Sequence, residues 1–294
     1  MRLGLTVSRF TWPGGPERIG ATFGEIARQA EAGGLASLWV MDHFFQIEMN
    51  GPPELDMLEA YTTLGFAAAS TSRISLGALV TGAVYRHPGV LVKTVTTLDV
   101  LSGGRAYLGI GAAWFDGEAR ALGIPFPPLA ERFERLEETL RVARQMWAGD
   151  ESPFHGRYYQ LERPLNAPQA LSRPRPPILI GGSGERKTLR LVAKYADATN
   201  LFESPELPHK LRVLRAHCDR EGRPYQEIEK TVLTRLPLPS AGGSLDDAVK
   251  QAQRLAELGV DHVIMPAPPS GVPAALDDLA EVASRISSIV PAGR

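Results

Sequence analysis

The sequence has little cysteine: Cys218 is the only one among 294 residues. A lone thiol excludes an intrachain disulfide framework and fits a reducing compartment. No apolar run is long enough to span a bilayer, and the N-terminal MRLGLTVSRF lacks the apolar core and cleavage pattern of a secretory signal. These shortages point to a soluble, cytoplasmic protein. Net charge is scarce too, since 32 Lys and Arg against 33 Asp and Glu leave −1. Without a charge excess there is no electrostatic footprint for nucleic acid or an anionic membrane. The histidines at 43, 87, 155, 209, 217 and 262 include no pair with zinc-ligand spacing and a third partner, so no metal is expected. No GxSxG elbow occurs, and Cys218 lies mid-helix without the setting of a nucleophile.

What is present is an alternation of short apolar runs and longer amphipathic ones. The strand-like runs are RLGLTVS, SLWVM, ISLGALVTG, RAYLGIG, PPILIGG, ATNLF, KTVLTRLPL and DHVIMPA, each followed by a segment of helical period. Glycines at 33, 34, 103 and 104 close the first and third helices, and Pro88 opens the third. Repeated βα units imply a parallel sheet, because each crossover helix must bury its apolar face on it. Eight units in a chain of this length predict a closed (β/α)8 TIM barrel, with an open doubly wound sheet as the alternative. Residues of about 150–176 break the alternation between the fourth helix and the fifth strand. That stretch is rich in proline and aromatics and reads as an inserted hairpin with a turn at His155–Gly156. With no linker or repeat, residues 1–294 read as a single domain.

Active sites of such barrels form at the C-terminal strand ends. The second strand ends there in Asp42 and His43, followed by Phe44 and Phe45. The fourth ends in LGIGAAW, whose glycines let a ligand approach the backbone and whose Trp114 can form a floor or stacking wall. The fifth runs into Gly181, Gly182, Ser183 and Gly184, with a helix expected from about Glu185. Small residues before a helix N-terminus let N–H groups converge on a phosphate, and the Ser183 hydroxyl adds a donor. Arg186 and Lys187 add positive charge nearby. The pattern suits a phosphate-bearing cofactor.

The stretches WVMDHF, RHPGVLVKTVTTLDVLSGGRAYLGIGAAW and PPILIGGSGERKTLRLVAKYADATNLF resemble the luciferase-like flavin and deazaflavin oxidoreductases, in particular the branch using coenzyme F420. The resemblance implies a hydride-transferring enzyme, a small organic substrate and a homodimer. It places His43 beside the deazaflavin as the acid–base residue, with Asp42 orienting it or holding its charge. Phe44 and Phe45 would then wall off solvent. It implies a non-prolyl cis peptide at Ala78–Leu79 behind the ring, a ring contact from Thr81, and backbone contacts from Ala112 and Ala113. Gly181, Gly182, Gly184 and Glu185 match the phosphate loop. Sugar-phosphate dehydrogenases of the family carry a glutamate where this chain has Trp114, which leaves the substrate open. An FMN-dependent monooxygenase and a non-catalytic flavin-binding barrel are the alternatives.

Overall fold

The computed structural model describes residues 1–267 and 272–293. Its strands are β1 (Arg2–Val7), β2 (Ser37–Val40), β3 (Ser75–Ala78), β4 (Thr81–Gly82), β5 (Ala106–Gly111), β6 (Phe154–His155), β7 (Gln160–Leu161), β8 (Ile178–Gly181), β9 (Ala198–Phe202), β10 (Glu229–Leu233) and β11 (His262–Pro266). The helices are α1 (Pro16–Ala32), α2 (Ala60–Ser70), α3 (Pro88–Ser102), α4 (Asp116–Ala121), α5 (Leu129–Trp147), α6 (Thr188–Tyr195), α7 (Leu207–Glu221), α8 (Leu245–Glu257) and α9 (Val272–Ile286). The sheet order is β3-β2-β1-β11-β10-β9-β8-β5-β4, all parallel. A further pairing of β3 with β5, Leu76 opposite Ala106, joins the ends and closes an eight-stranded barrel. That pairing rules out the open sheet.

The strands read as unbroken apolar runs because both of their faces are buried. Leu38 and Val40 of β2 point outward into the large core beneath the helices. Trp39 between them points inward and packs with Leu179, Ala198 and Ile264 from three other strands. Below this layer the barrel floor is polar. His262 Nδ1 bonds Glu229 at 2.8 Å, and its Nε2 meets the Ser37 hydroxyl at 3.0 Å. Ser37 also accepts from Trp39 Nε1 at 2.6 Å, and Arg2 pairs with Glu229 at 2.6 Å. A Cβ on Gly4 would lie 2.2 Å from the Ser37 oxygen, so the floor closes only with glycine there.

Two carboxylates fasten the segment between α5 and β8. Glu138 of α5 accepts N–H bonds from Arg157, Tyr158 and Tyr159 around the β6–β7 hairpin. Asp99 of α3, fully buried, accepts from the Leu171 and Ser172 N–H groups and the Ser172 hydroxyl. Charge-assisted bonds of this kind fix a loop that has no ladder of its own.

The third strand differs from expectation. It divides into β3 and β4 around Leu79 and Val80, and the non-prolyl cis bond is Leu79–Val80, not Ala78–Leu79. The register explains the offset. Val40 lies opposite Ala78, and Leu79 N–H still donates to Val40 O at 2.8 Å, so the first bond beyond the ladder is the next one. Val80 then lies against strand-end glycines. A Cβ on Gly181 would fall 2.8 Å from Val80 Cγ1, and one on Gly111 3.0 Å from Val80 Cγ2. These glycines make room for the protruding third strand.

Candidate active site

A cavity of about 430 Å³ opens at the C-terminal end of the barrel. Of the residues singled out in the sequence, Asp42, His43, Leu79, Thr81, Ala112, Ala113, Trp114, Gly181, Gly182 and Gly184 line it. Ala78, Ser183 and Glu185 do not: Ala78 is fully buried in β3, one residue before the lining begins at Leu79.

His43 faces the cavity, but its orienting partner is not Asp42. His43 Nδ1 bonds Glu118 Oε1 at 2.6 Å. Glu118 lies on α4, a short helix that the sequence reading passed over, and is fully buried. It also accepts from the Phe44 N–H at 2.7 Å, the Phe45 N–H at 3.2 Å and the Tyr85 hydroxyl at 2.5 Å. Burial acts to raise the Glu118 pKa, but the bonds from His43, Tyr85 and the Phe44 N–H outweigh it and hold the carboxyl below its ordinary range. An ionised Glu118 makes Nδ1 the donor, which leaves Nε2 as the edge with no partner among the described residues. Burial and the bond to Glu118 push the Tyr85 phenol well up, so Tyr85 stays neutral.

Asp42 is committed elsewhere. Its two oxygens take a bidentate pair from Arg86 at 2.6 and 2.9 Å. Arg86 also reaches Glu59, whose other oxygen caps α2 through the Thr62 N–H. Burial pushes the Asp42 carboxyl up, and the Arg86 bonds oppose that. Asp42 thus fixes the strand end through Arg86 rather than steering the imidazole. The Thr81 hydroxyl is likewise bonded, to Tyr61 at 2.7 Å.

The glycine loop divides in two. Gly182, at φ 118°, and Gly184 face the cavity. Ser183 is exposed and outside the lining, contrary to its expected donor role. Glu185 turns to α7, where its carboxylate pairs with Lys210 at 2.6 Å and His209 at 3.2 Å. Its carbonyl accepts from His217 at 2.8 Å. Glu185 anchors the loop from behind. The helix starts at Thr188, three residues later than expected. Thr188 is buried and lines the cavity, and its hydroxyl stands 2.9 Å from where a Gly184 Cβ would be. A hydroxyl after a Gly-Ser-Gly run was a signal the sequence offered.

The outer wall is apolar. Trp114 stacks on Phe115 at 5.3 Å, and both rings meet His43 edge-on. Leu129, Phe133, Phe202 and Leu233 complete it. Phe44 and Phe45 do not line the cavity. Phe44 packs on Tyr85 instead, and the backbone N–H groups of both serve Glu118. Ala113, at φ 61°, is in the left-handed region and turns the chain so that Trp114 overhangs the mouth.

Residues 1–238 match the model of the luciferase-like monooxygenase family, and the chain belongs to that family. It is similar to F420-dependent glucose-6-phosphate dehydrogenases of Kineococcus radiotolerans (32% identity over 228 residues, 72% of this chain and 62% of that one) and Nakamurella multipartita (31% over 232 residues, 75% and 65%). The match thus spans less than two thirds of these relatives' length. Among solved structures, the F420-dependent tetrahydromethanopterin reductase of Methanopyrus kandleri superposes with a TM-score of 0.77 at 18% identity, covering 98% of each chain. The monooxygenase RslO1 of Streptomyces bottropensis does so equally, with a TM-score of 0.77 at 18% identity and 98% of each chain. Likenesses this distant establish the barrel and do not separate deazaflavin from flavin.

Proposed function

We propose that the protein is a coenzyme F420-dependent oxidoreductase that moves a hydride between the deazaflavin and a small organic substrate. The observation that carries the reading is His43, which lines the cavity with Nδ1 tied to buried Glu118 and Nε2 without a partner among the described residues. The choice of F420 is supported by the dehydrogenases to which the chain is most nearly related in sequence among those named above. The cavity fits such a group on its own terms. The Leu79–Val80 segment and Ala112 form one wall, and Gly182, Gly184 and the unengaged Thr188 hydroxyl form a cradle that a side chain would fill.

The deazaflavin supplies two-electron hydride chemistry when bound. The protein's part is to hold its phosphate at Gly182, Gly184 and Thr188 and to keep water from the ring with Trp114 and Phe133. His43 Nε2 takes or gives the substrate's proton, and Glu118 balances the charge left on the imidazole. The protein is expected to act as a homodimer in the cytoplasm. A groove by α2 and α3, where Val90, Leu101 and Leu165 are exposed, offers a face to cover. Among the described residues no helix is long and apolar enough to cross a membrane.

The test is to titrate the purified protein separately with F420 and with FMN, following absorbance and fluorescence. Tight binding of F420, with weakening of about tenfold in Thr188→Val as for loss of a charged hydrogen bond, supports the reading. Binding of reduced FMN alone, with oxygen consumed, would replace it with the monooxygenase reading.

A further inference from the structure

We infer that Arg132, at the N-terminal end of α5, is an anion site at the rim of the cavity, and that the substrate is a monoanionic organic acid whose carboxylate it receives. The inference rests on the F420 reading and names the group by which the substrate is held.

Arg132 is a buried cation that the fold leaves without an ion pair of its own. The residue is 9% exposed, and its Nε and Nη1 are buried with no hydrogen-bond partner among the described residues. The guanidinium lies over the Phe126 ring at 4.1 Å. A ring face covers the flat side of the group and leaves its in-plane N–H bonds unmade. Asp116, the acid whose field reaches it, is already paired with Arg120. Burial pulls the guanidinium below its ordinary value, against Asp116 and Tyr85, yet arginine stays charged. Unpaired buried charge is costly, and an apolar side chain of similar volume would avoid the cost. A charge held there points to a partner from outside the chain.

The placement says which partner. A helical side chain leans back over the preceding turn, so Arg132, in the opening turn of α5, carries its charge toward the helix N-terminus. α5 spans 19 residues, and its N-cap, Pro128, makes no side-chain bond. Glu131, the acid of that turn, goes to Arg135 at 2.7 Å. Uncapped N–H groups and a guanidinium therefore share one end of the helix. That end is at the cavity. Leu129 and Phe133, on either side of Arg132 in α5, both line it, and so does Tyr85, whose phenol feels the Arg132 charge.

The other cations near the mouth are engaged: Arg86 by Asp42 and Glu59, and Arg120 by Asp116. Lys187 lies over the Phe133 ring at 5.3 Å, on the side of the glycine loop. Among the described residues no Lys or Arg belongs to the lining itself. One guanidinium and the partial charge of a helix end balance a single negative charge. With Asp116 and Glu118 on α4 nearby, a phosphate dianion is matched less well than a carboxylate. The exposed Trp114 and Leu129 side chains offer the acid's apolar body a surface.

The experiment titrates the purified protein, with and without F420, against benzoate, benzyl alcohol and phenyl phosphate by calorimetry. At about pH 8 benzoate carries one charge and phenyl phosphate two. Benzoate should bind about 10- to 100-fold more tightly than benzyl alcohol, the range of a charged hydrogen bond. Arg132→Met should bring benzoate to within about threefold of benzyl alcohol, and Arg132→Lys should recover part of the difference. Arg132→Met should also be at least as stable to urea as the parent, since it sheds an unpaired buried charge. Its F420 affinity should stay within about threefold of the parent's. Benzoate bound no better than benzyl alcohol, tighter binding of phenyl phosphate, or benzoate affinity unchanged in Arg132→Met overturns the inference. So does a marked loss of stability in Arg132→Met, which would assign the cation to the fold, or a large loss of F420 affinity, which would assign it to the cofactor. Failure of the parent to bind F420 overturns the reading beneath, and is told apart because the benzoate titration is also read without cofactor.

Discussion

At each end of the barrel a buried carboxylate holds a histidine. At the mouth His43 bonds Glu118 at 2.6 Å, and at the floor His262 bonds Glu229 at 2.8 Å. The carboxylates are alike in being buried and held below their ordinary range by their histidine and its neighbours. The second edge of each ring differs. His43 lines a cavity and its Nε2 has no partner among the described residues, whereas His262 Nε2 is taken by Ser37, itself bonded to Trp39. Ser37, His262 and Glu229 have the connectivity of a hydrolytic triad, yet Ser37 is 1% exposed. The hydrogen bonds of a dyad or triad do not make a site; an unpaired edge with room beside it does.

The comparison can be broken most forcefully by removing each ring. His43→Ala should keep F420 affinity and lose about 10²- to 10⁴-fold in turnover, measured as kcat in the F420 assay. His262→Ala should keep turnover per folded molecule and lose about 2–4 kcal/mol of stability in urea titration, since Glu229 stays buried with less to pair it. Equal kinetic damage at both would mean that the floor communicates with the mouth.

The carboxylates sharpen the contrast at a smaller scale. Glu118→Gln keeps an acceptor for Nδ1–H but removes the charge that supports the imidazolium, so kcat should fall about 10- to 100-fold. Substrate KM should change little. Glu229→Gln should spare kcat and alter acid unfolding. Burial opposes ionisation of Glu229, but His262, Arg2 and Tyr107 hold its pKa down to about 2 against 4.5 for an ordinary glutamate. The stability this carboxylate contributes is complete above about 4.5 and is lost as pH falls toward about 2. The variant should lack that part of the acid transition. Ser37→Ala is the mildest change, about 1–2 kcal/mol from the unpaired Trp39 N–H, with kcat unaffected.

Why was one histidine legible in the sequence and its partner not? The strands could be read because burial on both faces leaves a continuous apolar signature, and His43 because a polar residue breaks that signature at the strand end. The cis bond was placed one residue early because sequence alone does not show where the ladder with β2 stops. Glu118 is 75 residues from His43, and Arg86 is 44 from Asp42. Adjacency suggested that Asp42 serves His43, but Asp42 is buried beside Arg86 and the chain closes the pair across units. The acids of FDGEARALG, next to the strand-end AAW, are the available sign of Glu118 in the sequence. Ser183 and Glu185 lie outside the lining for different reasons: Ser183 turns to solvent, and the Glu185 carboxylate is drawn to Lys210 and His209 of α7.

Glu118 also makes a clock out of two peptide groups. The Phe44 and Phe45 N–H groups belong to no strand or helix, yet both end on its buried carboxylate. In heavy water they should exchange far more slowly than other loop amides, because deuterium can enter only when the carboxylate lets go. Their exchange rates would time the release of His43 from its support, in the resting protein and without any substrate.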